Sequence, residues 1–183
     1  MDILIETERF IIRPLQDGDA AGMFAMDSDP EVHRYVGGKP VETIEQTKAV
    51  IAFVRSQYAE YGIGRWAVIE KATGEFAGWT GFKYYNAEVN GHINHYDFGY
   101  RFAQRCWGKG YATESGRAAL QYGLQTLQLR NVYAMTDVDN AASRRILEKL
   151  GFRFDGIFAY NAQPDWREAG EPTTWYALPE SLG

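Results

Sequence analysis

The sequence predicts an α/β (α+β) fold, in which a central mixed β-sheet carries helices on both faces. Strand-like and helix-like segments follow one another along the chain, the order expected when helices cover a sheet. No internal repeat, low-complexity tract or linker interrupts this order. We therefore interpret residues 1–183 as one domain, which is long enough to bury a sizeable core.

Four segments are predicted to be helical. Between residues 41 and 61, apolar side chains recur at steps of three and four residues, and Gly62 follows as a stop signal. Residues 17–26 form a shorter helix, and residues 140–150 form one that Gly151 is placed to cap. The fourth helix, 110–127, carries mostly small side chains on one face, which lets it lie close against a sheet: Ala112, Gly116, Ala119, Gly123 and Leu127.

Seven segments are predicted to be strands. The turn at residues 72–74, Ala-Thr-Gly, joins two of them into a hairpin. The polar stretch 86–91 separates that hairpin from the next strand. The predicted strands cover residues 3–13, 65–71, 75–84, 94–102, 131–136, 152–160 and 173–178.

Composition argues against several classes of protein. The formal net charge of −5 disfavours nonspecific nucleic-acid binding, which needs a basic surface. No apolar run approaches about 20 residues, so we expect no membrane span. The single cysteine, Cys106, forms no internal disulfide, which favours a reducing compartment. The acidic N-terminal segment lacks the basic region of a signal peptide, and we therefore expect a cytoplasmic protein.

The most informative segment is residues 105–112, Arg-Cys-Trp-Gly-Lys-Gly-Tyr-Ala, which lies between a predicted strand and a predicted helix. A loop of this form turns consecutive backbone N–H groups toward one point at a helix N-terminus. Those groups and the helix dipole make that point an anion site. Gly108 and Gly110 lack a Cβ, so the backbone can approach a ligand closely. The loop therefore predicts a phosphate or pyrophosphate site.

The order strand, Arg-x-x-Gly-x-Gly, helix, strand, Asp-x-x-Asn-x-x-Ser, helix, Gly-Phe resembles the GNAT superfamily of acetyl-CoA-dependent N-acetyltransferases. Within it, the chain is similar to the branch that includes the ribosomal-protein N-terminal acetyltransferases, the Rim type. The resemblance extends from about residue 5 to residue 158. It is carried by five ordered runs, at residues 7–15, 28–32, 97–100, 107–114 and 139–152.

This resemblance implies acetyl-CoA as the cosubstrate. The backbone of residues 105–110 then holds the pyrophosphate, and the strand 98–102 pairs with the pantetheine arm. Asn140 hydrogen-bonds the pantetheine, although it is also a good helix N-cap. The predicted cofactor-binding residues are Phe98, Tyr100, Arg101, Phe102, Arg105, Cys106, Trp107, Gly108, Lys109, Gly110, Tyr111, Asn140 and Ser143.

The resemblance also implies catalytic residues. Many family members have a tyrosine acid in the last helix, but the matching position here is Leu147, so Ser143 is the candidate acid for the leaving thiolate. Ser143 has an alternative role in capping the helix. Asp97 is the candidate base, acting through water, and its alternative is a solvated or ion-paired strand residue. Tyr160 stands where related enzymes have a glutamate, so the acid–base assignment on the acceptor side stays open.

The predicted acceptor is a primary amine, either a protein N-terminus or a small molecule. Aromatic residues near the predicted acceptor cleft could hold a cationic amine, or could simply be core or rim residues: Tyr84, Tyr85, Tyr96, Tyr160, Trp166 and Trp175. The acidic residues Asp165, Glu168 and Glu171 could contact the acceptor or only be solvated. Both a monomer and a homodimer are compatible with the sequence.

Other chemistry is disfavoured. His92 and His95 are spaced i, i+3, which on a strand points them to opposite faces, so we predict no metal site. Cys106 could have a lowered pKa at a helix N-terminus, but the family transfers acetyl directly between bound substrates. The alternatives to a transferase are a noncatalytic acyl-CoA-binding module and a nucleotide-binding enzyme. The latter fits poorly, because no Gly-x-x-x-x-Gly-Lys-[Ser/Thr] motif is present.

Overall fold

In this computed structural model, residues 4–37, 39–160 and 170–179 are described. The strands among them are β1 (Ile5–Glu6), β2 (Phe10–Pro14), β3 (Arg65–Glu70), β4 (Phe76–Tyr85), β5 (His95–Phe102), β6 (Val132–Asp137), β7 (Arg153–Ala159) and β8 (Pro172–Ala177). The α-helices are α1 (Ala20–Asp27), α2 (Pro30–His33), α3 (Ile44–Tyr61), α4 (Tyr111–Gln121) and α5 (Ala141–Lys149).

The strands form one sheet of eight, in the order β1-β2-β3-β4-β5-β6-β8-β7. Only β5 and β6 run parallel to each other, and every other neighbouring pair of described strands is antiparallel. The predicted mixed sheet is therefore confirmed. The parallel pair lies near the middle of the sheet, and α4 lies in the connection between its two strands.

Each face of the sheet is covered by its own hydrophobic cluster. On one face, α1 and α3 pack against β3 and β4 through Met23, Met26, Ile51, Val54, Ala67 and Trp79. On the other face, α4 and α5 pack against the central strands through Phe82, Phe98, Ala119, Leu120 and Leu147. Helices therefore cover both faces, as the sequence predicts.

The longest helix, α3, shows why the sequence defines its ends. Thr43 caps the N-terminus by accepting a hydrogen bond from the Gln46 N–H (3.4 Å), and the Gln46 side chain accepts one from the Thr43 N–H (3.0 Å). At the C-terminus, Gly62 has a φ of +68°, and its N–H donates to the Tyr58 carbonyl. The helix therefore starts at Ile44, three residues later than the predicted start at residue 41.

Three local features differ from the sequence prediction. The strand predicted over residues 3–13 is two strands, because the chain turns at Thr7, whose N–H donates to the Phe10 carbonyl (3.0 Å). The short helix α2 was not predicted, and the Asp29 side chain caps it. The helix predicted over residues 110–127 is α-helical only to Gln121, and residues Tyr122–Thr126 continue it as a π-helical turn.

Small residues let α4 and its π-helical extension lie directly on the sheet. A Cβ built at Gly116 would lie 3.0 Å from a Leu150 methyl group and 3.4 Å from the Phe98 ring. At Gly123 it would lie 2.5 Å from the Phe82 ring. The predicted packing face is therefore confirmed at both glycines.

Replacing Gly123 with Ala is expected to lower the free energy of unfolding by about 1–3 kcal/mol, because the new methyl group overlaps the fully buried Phe82 ring. Urea unfolding of the two proteins measures the change. Gly18→Ala is the matched control, since a Cβ there meets nothing within 4 Å. Equal stability of the Gly123 variant and the native protein would contradict the close packing described here.

Candidate active site

The parallel pairing of β5 with β6 is short. It joins Tyr96 to Val132 and Asp97 to Tyr133, whereas β5 continues to Phe102 and β6 to Asp137. The Tyr96 N–H donates to the Asn131 carbonyl, which shows that even-numbered residues of β5 direct their main chain toward β6. Beyond Asp97, the main chain of Tyr100 therefore points into a gap between the two strands.

The glycine-rich loop lies between the end of β5 and the start of α4. Gly108 and Gly110 adopt φ values of +73° and +76°, and a Cβ at Gly108 would meet nothing within 4 Å. Among the backbone hydrogen bonds of the described residues, none is donated by residues 108–113. Six consecutive N–H groups at the N-terminus of α4 are thus available to an anion.

The start of the predicted phosphate loop has a different role. The N–H groups of Cys106 and Trp107 already donate to the Ala103 and Gln104 carbonyls. The uninterrupted run of available N–H groups therefore begins at Gly108 and extends into α4, whereas the predicted span was 105–110.

Acidic residues of β3 and the following turn hold this loop in place. The Arg105 guanidinium lies 3.0 Å from the Glu75 carboxylate and 3.6 Å from the Glu70 carboxylate, and it also donates to the Phe76 carbonyl (2.9 Å). The Tyr111 hydroxyl donates to Glu70, and this hydrogen bond is the main cause that lowers the pKa of Glu70. The Arg105 side chain thus fixes the loop to the end of β3 and to the turn that follows it.

A second brace comes from the β1–β2 turn. Arg9 Nε lies 2.6 Å from Glu114 Oε2, and Arg9 Nη1 donates to the Lys109 carbonyl (2.8 Å). Thr7 and the Arg9 N–H donate to the other oxygen of Glu114, at 2.7 and 3.0 Å. Sequence reasoning missed these contacts, because about 100 residues separate the partners and no local pattern marks them.

The start of α5 reaches β5 through a hydrogen-bonded pair of hydroxyl groups. The Tyr100 hydroxyl donates to the Ser143 carbonyl and lies 3.0 Å from Ser143 Oγ. Burial raises the pKa of Tyr100, so its phenol stays protonated near neutral pH. Asn140 Oδ1 accepts the Ser143 N–H (3.0 Å), which confirms Asn140 as the helix N-cap. The sequence singled out all three residues but not the bond between Tyr100 and Ser143.

The opposite face of β5 carries charged side chains. Arg101 points there and lies 2.8 Å from the buried Asp27 of α1, and its guanidinium stacks 5.5 Å above the Trp79 ring. Asp97 is half-buried on the same face, directly across from Lys83 of β4. Asp97 and Ser143 therefore approach the gap from opposite faces of the sheet. Arg101 is directed away from the face that carries the glycine-rich loop.

A groove continues from the glycine-rich loop along the outer side of α4. It has a volume of about 540 Å³ and is lined by Glu8, Gly110, Thr113, Glu114, Arg117, Ala118, Gln121 and Lys149. Arg117 and Lys149 place two cations at its walls, one from α4 and one from α5.

The aromatic residues singled out in the sequence fall into two groups. Tyr84 and Tyr96 pack against each other at 5.2 Å, and Tyr84 also contacts Tyr61. Three more of them, Tyr85, Tyr160 and Trp175, belong to a largely buried aromatic cluster at the start of β5. The same cluster contains Val89, Tyr133 and two histidines, His92 and His95. Trp166, Asp165 and Glu168 lie outside the described residues.

The structure corrects one prediction about reactive side chains and disfavours one possibility. His92 and His95 do not lie on opposite faces; their rings are 6.4 Å apart and both contact Trp175, because β5 begins only at His95. Cys106 is 2% exposed, and burial raises the pKa of its thiol instead of lowering it. Within the described residues, no group of three or more metal-ligating side chains occurs, and no helix is long and apolar enough to cross a membrane.

The acetyltransferase (GNAT) domain family matches residues 9–153. The chain therefore belongs to this family of acetyl-CoA-dependent N-acetyltransferases, and it is an enzyme of the acyltransferase type.

Relatives agree with this membership. The chain is 34% identical over 159 residues to the uncharacterized N-acetyltransferase YoaA of Bacillus subtilis, which covers 84% of this chain and 85% of the relative. It is 27% identical over 145 residues to the spermidine N(1)-acetyltransferase of Escherichia coli, which covers 79% of this chain and 73% of that protein.

Solved structures share the fold. A GNAT-family acetyltransferase from Bacillus anthracis is 27% identical, with a TM-score of 0.77 over 98% of this chain and 99% of that chain. The ribosomal L7/L12 alpha-N-protein acetyltransferase RimL, solved in complex with coenzyme A, has a TM-score of 0.76 over 96% of this chain and 97% of that chain. RimL is 14% identical, a likeness that shows the fold alone.

The aromatic cluster makes stability depend on pH. Burial, together with the nearby His92, lowers the pKa of His95 from 6.5 to about 4. As the pH falls below 6.5, the unfolded chain binds a proton that the folded chain excludes, so the free energy of unfolding declines. His95→Phe is expected to reduce this decline while keeping the stacking on Tyr85. Urea unfolding at pH 7 and pH 5 measures it, and an unchanged difference between the two pH values would contradict the assignment.

Proposed function

We propose that the chain transfers the acetyl group of acetyl-CoA to a primary amine by direct attack in a ternary complex. The observation that carries the proposal is the continuity between two sets of main-chain groups: the open edge of β5 at Tyr100 and the unpaired N–H groups of residues 108–113. The open edge of β5 can pair with an extended chain that contains amide groups. The unpaired N–H groups can bind a pyrophosphate. Coenzyme A contains both, joined in one molecule.

The proposed cofactor contacts follow from this continuity. The pyrophosphate lies on the N–H groups from Gly108 onward, where the absence of a Cβ at Gly108 leaves room for it. The pantetheine arm lies along the β5 edge at Phe98 and Tyr100. The adenosine phosphate lies in the groove, near Arg117 and Lys149.

For four of the predicted cofactor-binding residues, we propose a more specific role. The Phe102 carbonyl already accepts a hydrogen bond from Trp107 Nε1 (2.9 Å), so these two residues close the end of the gap. Cys106 supports the loop from the core. Asn140 uses Oδ1 for capping, which leaves its amide nitrogen to donate to the pantetheine.

The reaction needs one bond to form and one to break. The amine nitrogen attacks the thioester carbonyl, and main-chain N–H groups of the β5 edge stabilise the oxyanion. As the carbon–sulfur bond breaks, Ser143 donates a hydrogen bond to the leaving sulfur, and its own position is fixed by Tyr100. The attacking amine loses its proton through water to Asp97, on the opposite face of the sheet.

The acceptor is proposed to approach from the face of β5 that carries Asp97, because the loop and α5 occupy the other face. A carboxylate at this point favours a cationic amine before it is deprotonated. The names of the related proteins offer two classes of amine: spermidine, and the N-terminus of a ribosomal protein. The resemblance to the Rim-type branch supports the N-terminus of a ribosomal protein as the acceptor. The 27% sequence identity to the spermidine N(1)-acetyltransferase supports spermidine. Both classes of amine are therefore tested together.

The proposal extends to the location and the assembly state of the protein. The described cysteine, Cys106, is a buried free thiol, which is compatible with a reducing compartment, and we propose a cytoplasmic location. A monomer and a homodimer are both compatible with the proposed site.

The experiment that tests the proposed function is thiol release from acetyl-CoA with a panel of acceptors. The panel contains peptides with ribosomal-protein-like N-termini, polyamines, aminoglycosides and amino acid amides. Release with one class establishes catalysis and identifies the acceptor. Binding of acetyl-CoA without release for any class would favour a noncatalytic acyl-CoA-binding module, and no binding would refute the cofactor assignment.

Gly108→Trp is expected to abolish acetyl-CoA binding, because the indole fills the space in front of the unpaired N–H groups. Calorimetric titration measures the affinity. Gly91→Trp is the matched control, since Gly91 has a similar φ of +76° and equally open surroundings. Native affinity in a folded Gly108 variant would refute the proposed pyrophosphate site.

Ser143→Ala is expected to lower kcat by roughly 100-fold while acetyl-CoA affinity changes little, because the leaving sulfur loses its hydrogen-bond donor. The cap of α5 is retained, since Asn140 bonds the main-chain N–H of residue 143. Ser143→Thr keeps a hydroxyl and is the control. Undiminished turnover of the alanine variant would leave Ser143 with a structural role only.

A further inference from the structure

The β1–β2 turn places one guanidinium against the proposed pyrophosphate site. We propose that Arg9 is a positioning residue for the pyrophosphate of acetyl-CoA: it fixes the peptide between Lys109 and Gly110 so that the Gly110 N–H faces the ligand. This inference rests on the proposed function, because it assumes that the pyrophosphate lies on residues 108–113.

The orientation follows from the geometry of the peptide bond. In a planar trans peptide, the carbonyl of one residue and the N–H of the next point in opposite directions. Arg9 Nη1 donates to the Lys109 carbonyl at 2.8 Å and thereby holds that oxygen on the side of the β1–β2 turn. The Gly110 N–H is then directed to the other side, where the neighbouring N–H groups are unpaired.

The guanidinium is itself fixed from three directions. Arg9 Nε bonds Glu114 Oε2 at 2.6 Å, and the guanidinium carbon lies 4.7 Å from the centre of the Tyr111 ring. Its Nη2 lies 3.6 Å from the position that a Cβ on Gly110 would occupy. Arg9 therefore packs against the back of the loop and contacts residues on both sides of Gly110. A residue held this firmly is suited to fix a peptide orientation before the ligand arrives.

Arg9 also compensates a negative charge beside the proposed pyrophosphate site. Glu114 lies in the first turn of α4, where its negative charge would oppose a pyrophosphate. Burial raises the pKa of Glu114, but the hydrogen bonds from Thr7 and Arg9 more than offset this, and its pKa is lowered overall. The carboxylate is thus ionised and paired with Arg9. Losing Arg9 would release both the Lys109 carbonyl and an uncompensated negative charge beside the ligand.

The proposal predicts a defect confined to the part of coenzyme A that contains the pyrophosphate. Affinities for acetyl-CoA and for acetyl-pantetheine, which lacks the pyrophosphate and adenosine, are measured by calorimetry. Arg9→Met is expected to weaken acetyl-CoA binding by about tenfold, the equivalent of one charge-assisted hydrogen bond, and to leave acetyl-pantetheine binding unchanged. Arg9→Lys is expected to fall close to Arg9→Met, since an ammonium cannot bond the Lys109 carbonyl and Glu114 in the same fork geometry.

Arg55→Met is the matched control. It removes the same side chain from another ion pair, 2.8 Å from Asp17 at the surface of α3, and is expected to bind both ligands as the native protein does. Native affinity of Arg9→Met for acetyl-CoA, or an equal loss for both ligands, would overturn the proposal. So would full rescue by Arg9→Lys, because charge alone would then account for the effect. Failure of the native protein to bind acetyl-CoA would instead refute the proposed function itself.

Discussion

The proposed site depends on the early end of the pairing between β5 and β6. Main-chain N–H and C=O groups need hydrogen-bond partners, and a buried group without one is unfavourable by about 1–3 kcal/mol. The sheet supplies such partners up to Asp97 and Tyr133 and then leaves an edge of β5 open inside the molecule. Tyr100 lies on this edge, and its side chain also fixes the start of α5. A ligand with amide groups along its length would complete the hydrogen bonds that the sheet omits.

Local signals accounted for most of the fold. The apolar spacing and terminal glycine of α3, the turn between β3 and β4, and the small face of α4 all act within a few residues, so they can be read from the chain directly. The errors occurred where a few hydrogen bonds override the pattern. The break at Thr7 divides an apolar run into β1 and β2, and α2 is a single turn too short to show periodicity. The strand order depends on distant pairings, which no local pattern contains.

The candidate site was predictable in part for the same reason. Gly108, Gly110, Asn140 and Ser143 stand out because their residue types are special at loops and helix starts. The sequence could not show which N–H groups of the loop are unpaired, because the bonds that Cys106 and Trp107 donate to the Ala103 and Gln104 carbonyls are visible only in the structure. The clustering of His92 with His95 was missed because the boundary of β5 determines which way each ring points.

The unpaired N–H groups of the loop have a consequence for how this sequence tolerates change. Every residue type except proline supplies a main-chain N–H, so the side chain at Lys109 can vary without removing a main-chain donor. The residues whose identity matters are instead those that hold the loop in place from distant positions in the sequence. Glu70 accepts a hydrogen bond from Tyr111 at the start of α4. Arg9, 100 positions before Lys109 in the sequence, donates one to the Lys109 carbonyl. The proposed pyrophosphate site thus depends largely on residues that hold the loop and need not contact the cosubstrate.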